Sequence, residues 1–84
     1  VPQRVKKSNF ELNPFHSFTN KELELLRYLA KGATHKEIAE SMQLSVRTID
    51  AHRNNIALKM NKLPTIKIVY EAFLWGILNE EDII

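Results

Sequence analysis

The segment from Phe18 to Met60 contains three helix-start signals, and their close spacing constrains the fold more than any other feature. Each signal is a Ser or Thr at an N-cap position, and two of the three are followed three residues later by glutamate, the spacing of a capping box. The N-caps and their glutamates are Thr19 with Glu22, Thr34 with Glu37, and Ser45. Such spacing leaves room only for short helices joined by tight turns, which suits a helix-turn-helix motif.

The length of 84 residues predicts one small domain, and the absence of cysteine excludes disulfides and thiolate metal sites. No apolar run reaches the roughly 20 residues that a helix needs to span a bilayer, so we expect a cytoplasmic protein that does not enter a membrane. His16, His35 and His52 lack the spacing of metal ligands, and no nucleophile or phosphate-binding loop is present. We therefore expect no metal, no cofactor and no catalysis.

Charge is segregated along the chain, although the net charge is only +2. Residues 31–62 contain six Lys or Arg against three Asp or Glu, whereas residues 71–84 contain four acidic residues and no Lys or Arg. A basic middle with an acidic end is compatible with one face that meets phosphate. The same distribution is also compatible with an ordinary solvated surface.

Residues 1–17 are interpreted as a linker or N-terminal arm, and residues 18–84 as the folded domain. The arm contains Pro2 and Pro14, a basic cluster and no sustained periodicity. Its apolar residues either strap across the helical core or belong to an interface with a preceding domain. These residues are Phe10, Leu12 and Phe15. Because the chain begins with Val1 rather than methionine, we expect a further domain upstream.

The periodicity of apolar residues predicts an all-α fold, a four-helix bundle that contains a helix-turn-helix. Gly32, Asn61 and Gly76 are expected to end helices, and Pro64 blocks continuation of the third. The four helices are expected at about 20–31, 35–42, 46–60 and 65–75.

Helix three presents two different faces. Its apolar residues recur in three- and four-residue steps and predict a core face. They are Val46, Ile49, Ile56 and Met60. Small or polar residues form the opposite stripe, which we expect to face solvent. They are Arg47, Asp50, Ala51 and Asn54.

Helix four is apolar on more than one side. Its expected inward stripe consists of Ile66, Val69, Tyr70 and Phe73. Further apolar residues occupy much of the remaining circumference, and an 84-residue domain cannot cover all of it. These residues are Ile68, Ala72, Leu74 and Trp75. We expect them to form a homodimer interface; the alternative is that they close the core of a monomer.

Residues 19–72 resemble the LuxR-type (NarL/GerE) DNA-binding domain of bacterial transcription regulators. The resemblance is carried by the stretches TNKELELLRYLAKG, THKEIAESMQLS and SVRTIDAHRNNIALKM. It implies a tetra-helical fold in which helix three enters the major groove of double-stranded DNA and helices two and three contact phosphates. It also implies that helix four mediates dimerisation and that an upstream receiver or sensor domain controls DNA binding.

The resemblance also assigns expected roles to individual residues. Five residues fall where the family contacts the DNA backbone or supports the recognition helix, and the N-cap of helix three is a sixth backbone candidate. They are Lys36, Thr48, His52, Arg53, Lys59 and Ser45. Asp50, Ala51 and Asn54 fall on positions that face the groove. Arg47 is a base-reading candidate because arginine pairs with guanine O6 and N7, although a phosphate contact is the alternative.

Two residues depart from the family pattern. Asp50 stands where lysine is frequent, and Leu58 stands where a basic residue is frequent. A carboxylate accepts hydrogen bonds only from a base edge such as cytosine N4, and phosphate repels it. Both departures, together with the apolar helix four, favour one alternative, a protein-interaction module that keeps the helix-turn-helix fold.

The sequence therefore predicts the sequence-specific DNA-binding output domain of a bacterial transcription regulator. A domain like region four of a sigma factor is a second alternative, but that domain lacks the pattern from KEIA to HRNNI. Tight, sequence-selective binding to DNA distinguishes the regulator from the interaction module, which we expect to bind DNA weakly and without sequence preference.

Overall fold

Four α-helices and one short 3-10 helix make up the ordered elements of residues 13–82, the part of the chain that the computed structural model describes. Helix α1 spans Asn20–Ala30, α2 His35–Met42, α3 Val46–Lys59 and α4 Thr65–Leu74, and the 3-10 helix spans Glu80–Asp82. These described residues contain no strand. The predicted all-α fold is confirmed, and each predicted helix boundary lies within one residue of the observed one.

Both predicted capping boxes are present. The Glu22 carboxylate accepts the Thr19 N–H at 2.9 Å, and the Thr19 hydroxyl accepts the Glu22 N–H at 3.1 Å. Thr34 and Glu37 make the same two bonds at 2.8 and 3.1 Å. These bonds satisfy backbone N–H groups that have no partner within the helix, so α1 and α2 begin where local chemistry dictates.

Ser45 caps α3, because its hydroxyl oxygen accepts the backbone N–H of Thr48 at 3.0 Å. We expect Ser45→Ala to lower the free energy of unfolding by about 1 kcal/mol, the usual cost of losing an N-cap. Ser41→Ala is the matched control, since Ser41 is exposed near the end of α2 and caps no helix. Urea unfolding of both variants measures the difference, and equal losses would contradict a specific role for the cap.

A turn of three residues connects α2 to α3. Gln43 ends α2 in the left-handed conformation, at φ 59°, and the Leu44 N–H donates to Ala39 O at 2.9 Å. The left-handed residue reverses the chain within one step, so that Ser45 can start α3 immediately. This turn sets the angle between α2 and α3, the two helices of the helix-turn-helix.

The core lies where α1 faces α3 and α4 and where α2 packs against α3. Leu25, Leu26, Ile38, Ile49 and Ile56 are its largest fully buried side chains. Phe15 is buried in the same cluster, so the domain includes the end of the segment interpreted as an arm. Phe10 and Leu12 lie outside the described residues.

Two expectations about helix faces are wrong. Val46, expected in the core, is 42% exposed, since it is the first residue of α3 and lies outside the packed part of that helix. On α4, Ile66 and Tyr70 were expected to face inward but are 75% and 60% exposed, whereas Ile68 and Ala72 are buried. The reason is that α4 packs mainly against α1, which covers only one narrow stripe of the helix.

Candidate nucleic-acid interface

The solvent-facing side of α3 carries four side chains that we name the recognition face: Arg47, Asp50, Ala51 and Asn54. Arg47, Ala51 and Asn54 are exposed, and Asp50 is half-buried. They lie at positions i, i+3, i+4 and i+7, so the helix aligns them on one side. The predicted solvent stripe of α3 is therefore present.

The recognition face has the chemistry needed to read base edges. Arg47 offers paired N–H donors, Asn54 offers one donor group and one acceptor, and Asp50 offers only acceptors. Ala51 lies among them and allows a base edge to approach the helix closely, because its side chain is a single methyl group. An α-helix with such a face fits the major groove of B-form DNA, which is about 12 Å wide.

Candidates for phosphate contact lie at the N-terminal ends of α2 and α3, beside the recognition face. Lys36 lies exposed in the first turn of α2, and Ser45 is exposed at the N-cap of α3. The Thr48 hydroxyl lies one turn further, where it accepts a hydrogen bond from the Ser45 hydroxyl at 3.0 Å. Helix N-termini carry a partial positive charge, which favours anions such as phosphate.

Asp50 has a neighbour that sequence reasoning did not assign. The Nδ1 atom of His35, on α2, lies 2.9 Å from the Oδ1 atom of Asp50, and the two side chains are 39% and 46% exposed. The two atoms are close but not aligned as a hydrogen bond, so the buried Oδ1 atom has no hydrogen-bond donor among the described residues. The contact joins two helices across the turn, and no local spacing in the sequence reveals it.

Lys59 makes contacts within the fold that sequence reasoning did not assign. Its ammonium group lies 2.6 Å from Glu22 Oε1, donates to Ser17 O at 2.9 Å, and lies 5.4 Å from the centre of the Phe18 ring. These contacts tie the end of α3 to the start of α1. Of the two roles that the family resemblance allowed, support of the recognition helix is the one that this geometry favours.

Glu22 is the buried partner in this bridge, with only 3% of its surface exposed. Burial alone would raise the pKa of Glu22. The hydrogen bond from Lys59, the backbone N–H of Thr19 and the positive charges of Lys59 and His52 outweigh burial and hold that pKa below its ordinary value of 4.5. Glu22 therefore caps α1 and anchors α3 as a carboxylate, and half-buried His52 lies close enough to influence it electrostatically.

Arg53 also lies away from the recognition face. It lines a cleft of about 240 Å³ formed by α1, α3, the loop after α3 and α4, together with Leu26, Pro64 and Ile68. Its Nε atom is buried and has no hydrogen-bond partner in the described part of the chain. Because this side of α3 faces α1 and α4, the expected contact of Arg53 with the DNA backbone is not supported by its position.

The residues predicted for dimerisation do not form one exposed surface. Ile68 and Ala72 are buried in the core, so the prediction that they contact a second copy is wrong, and Leu74 and Trp75 are half-buried. The exposed apolar side chains of α4 line a shallow groove of about 510 Å³ instead. This α4 groove is formed by Leu63, Ile66, Lys67, Tyr70 and Glu71.

Between residues 13 and 82, no helix has the length and apolar character needed to cross a membrane. The same stretch brings no three His, Asp or Glu side chains together in a way that would hold a metal ion.

Comparison with known proteins gives a consistent result for the helical region. A family model described as bacterial regulatory proteins, luxR family, matches residues 16–66. The chain is 39% identical over 62 residues to the uncharacterized response regulatory protein YgeK of Escherichia coli K12, a match that covers 74% of this chain and 42% of that protein. No solved structure matches the chain significantly.

Two further relatives match over about three fifths of this chain. The oxygen regulatory protein NreC of Staphylococcus carnosus is 43% identical over 54 residues, which cover 64% of this chain and 25% of NreC. The fimbriae Z protein of Salmonella typhimurium is 43% identical over 51 residues, which cover 61% of this chain and 24% of that protein. The chain therefore matches less than half the length of each of these three relatives.

Proposed function

Since the chain belongs to the luxR family of bacterial regulatory proteins and is a DNA-binding output domain, we propose that it reads DNA with the recognition face of α3. In this proposal α3 enters the major groove, where Arg47 and Asn54 contact purine edges and Asp50 accepts from an amino group. The observation that carries the proposal is the exposure of Arg47, Ala51 and Asn54 together on one side of a helix whose opposite side is packed in the core.

Phosphate contacts supply most of the affinity in this proposal. Lys36, Ser45 and Thr48 lie at the starts of α2 and α3, where one positive side chain, hydroxyl groups and helix dipoles meet. Lys59 is held by Glu22 and takes no part. Because few cations of residues 13–82 remain on this side, the described domain should bind with a weaker salt dependence than a domain with six or more phosphate contacts.

A second copy of the domain is proposed to pair through the α4 groove. Ile66 and Tyr70 expose large apolar surfaces there, flanked by one positive and one negative side chain, Lys67 and Glu71. A two-fold pair would place two α3 helices on half-sites roughly 34 Å apart. We also propose a regulatory domain elsewhere in a longer protein in the cytoplasm, because the relatives extend far beyond the matched region.

Selection from a random duplex pool tests sequence-specific binding. Fluorescence anisotropy then compares the selected duplex with a scrambled duplex over a series of salt concentrations. We expect a repeated half-site and a preference that persists at physiological salt. Equal affinities that disappear together as salt rises would instead favour the protein-interaction module, since only phosphate attraction would remain.

Arg47→Ala should lower affinity for the selected duplex about tenfold and relax base preference at one position, because a bidentate contact is worth about 1–3 kcal/mol. Lys21→Ala is the matched control, since it removes one positive charge from the exposed side of α1, outside both the recognition face and the α4 groove. Anisotropy titrations with base substitutions at each position measure both effects. A uniform loss on every duplex would assign Arg47 to phosphate contact.

A further inference from the structure

We propose that His35 is a positioning residue for base recognition: its Nδ1–H group holds one carboxylate oxygen of Asp50 so that the second oxygen accepts an amino hydrogen from cytosine N4. This inference rests on the proposed function, because it requires α3 to lie in the major groove. It assigns a role in base preference to a histidine on α2.

The geometry carries the first step. His35 Nδ1 lies 2.9 Å from Asp50 Oδ1, which is within hydrogen-bonding distance. The Oδ1 atom is buried and has no aligned hydrogen-bond donor in the described residues, a situation that costs free energy until a donor is supplied. An imidazole that carries a proton on Nδ1 supplies that donor, which leaves Oδ2 available to a ligand.

Base chemistry carries the second step. In the major groove a carboxylate can only accept, and cytosine presents an amino donor without an adjacent acceptor of its own. Guanine and thymine present only acceptors among their polar groups there, and adenine places its N7 acceptor beside its amino group, so these bases suit a carboxylate less well than cytosine does. A carboxylate at the position of Asp50 therefore selects cytosine, where the family more often has a lysine.

Local charge carries the third step. Lys36 and Glu37 follow His35 on α2, and the Glu37 carboxylate is held by the Thr34 N–H at 2.8 Å. On α3, Arg47 and Arg53 lie one turn before and after Asp50, and Arg53 lines the cleft that faces α1 and α4. When DNA approaches, its phosphates add negative potential beside the Asp50 carboxylate, and a hydrogen-bond donor at Oδ1 offsets part of that repulsion.

The test measures base preference at the operator position that Asp50 reads. Asp50→Asn first identifies that position, because an amide offers a donor and should shift the preference from cytosine towards adenine. Anisotropy then gives the affinity ratio between cytosine and the other bases at this position. The ratio cancels the contribution of phosphate contacts, which are the same for every base.

For the unchanged protein we expect a preference for cytosine of about tenfold. His35→Ala should reduce this preference severalfold, because Asp50 Oδ1 then loses its donor. His35→Gln, which keeps a neutral donor, should restore part of the preference. His16→Ala is the matched control, since His16 is exposed in the turn before α1 and should leave the preference unchanged.

A cytosine preference unaltered in His35→Ala, or one that His35→Gln restores no better than His35→Ala, would overturn the inference. So would an Asp50→Asn variant with unchanged preference at every position. In either case, preference for the selected duplex over a scrambled one would leave the proposed function standing. Loss of that preference in the unchanged protein would overturn both. Circular dichroism of each variant shows that differences in binding do not arise from unfolding.

Discussion

Ile68→Ala should lower the free energy of unfolding by about 3 kcal/mol, whereas Ile66→Ala, two residues earlier on α4, should change it by less than about 0.5 kcal/mol. Ile68 is 2% exposed and lies in the core cluster, while Ile66 is 75% exposed. Truncating the buried isoleucine leaves a cavity beside α1, and truncating the exposed one removes only surface in contact with water. The total free energy of unfolding of a small domain is about 5–15 kcal/mol, so the loss expected for Ile68→Ala is a large fraction of it.

Urea unfolding followed by circular dichroism compares the two variants, with equal m-values as the condition for comparing midpoints. Similar losses for both would contradict the orientation of α4. Repeating the measurement over a range of protein concentrations tests whether a second copy covers Ile66. A loss for Ile66→Ala that grows with protein concentration would indicate that Ile66 is covered by a second copy, as the proposed dimer requires.

Glu22→Gln should lower the free energy of unfolding at pH 7 by about 2 kcal/mol, because it leaves the Lys59 ammonium without its carboxylate partner. The expected loss is smaller than for a fully buried pair, since the Lys59 side chain is 29% exposed and water can reach it. Glutamine still serves in a capping box, so the substitution isolates the ion pair from the cap.

Glu37→Gln is the control for this substitution. Glu37 occupies the same capping-box position on α2, but it is exposed, so its replacement should cost less than about 0.5 kcal/mol. Urea unfolding at pH 7 measures both variants. Equal losses would mean that capping, rather than the bridge to Lys59, accounts for the contribution of Glu22.

The Glu22 bridge also predicts how stability depends on pH. Because the pKa of Glu22 is lower in the folded state than its ordinary value of 4.5, its contribution is fully present above that value and is lost as pH falls further. The unchanged protein should therefore lose more stability between pH 5 and about pH 3 than Glu22→Gln does. Parallel pH profiles for the two proteins would contradict this account of Glu22.

Local chemistry made the helices predictable. Thr19, Thr34 and Ser45 start helices because a side-chain oxygen reaches the third backbone N–H after it, a distance set by the chain alone. Gly32 and Asn61 follow the ends of α1 and α3 at positive φ, a backbone conformation that stops a helix and that glycine and asparagine adopt readily. The solvent stripe of α3 followed from helical periodicity, which needs no knowledge of the partner helices.

The contacts between helices could not be derived in this way. The Lys59 ammonium reaches Glu22 across 37 positions of sequence, and His35 meets Asp50 only because the turn at Gln43 brings α2 against α3. Arg53 was expected at the DNA backbone or in support of the recognition helix because of the family resemblance, and it lines the cleft between helices. In each case the role depends on which neighbour occupies the space around the side chain.

The sequence by itself determined the number of helices, their ends, the family and the residues of the recognition face. Tertiary structure alone decided which side of α4 is buried, that Phe15 belongs to the core, and that Lys59 pairs with Glu22. The physical reason is that capping and periodicity act over three or four residues, whereas α4 is apolar nearly all round. Because α1 covers only a narrow side of α4, Ile68 and Ala72 are buried, whereas Ile66 and Tyr70 stay exposed.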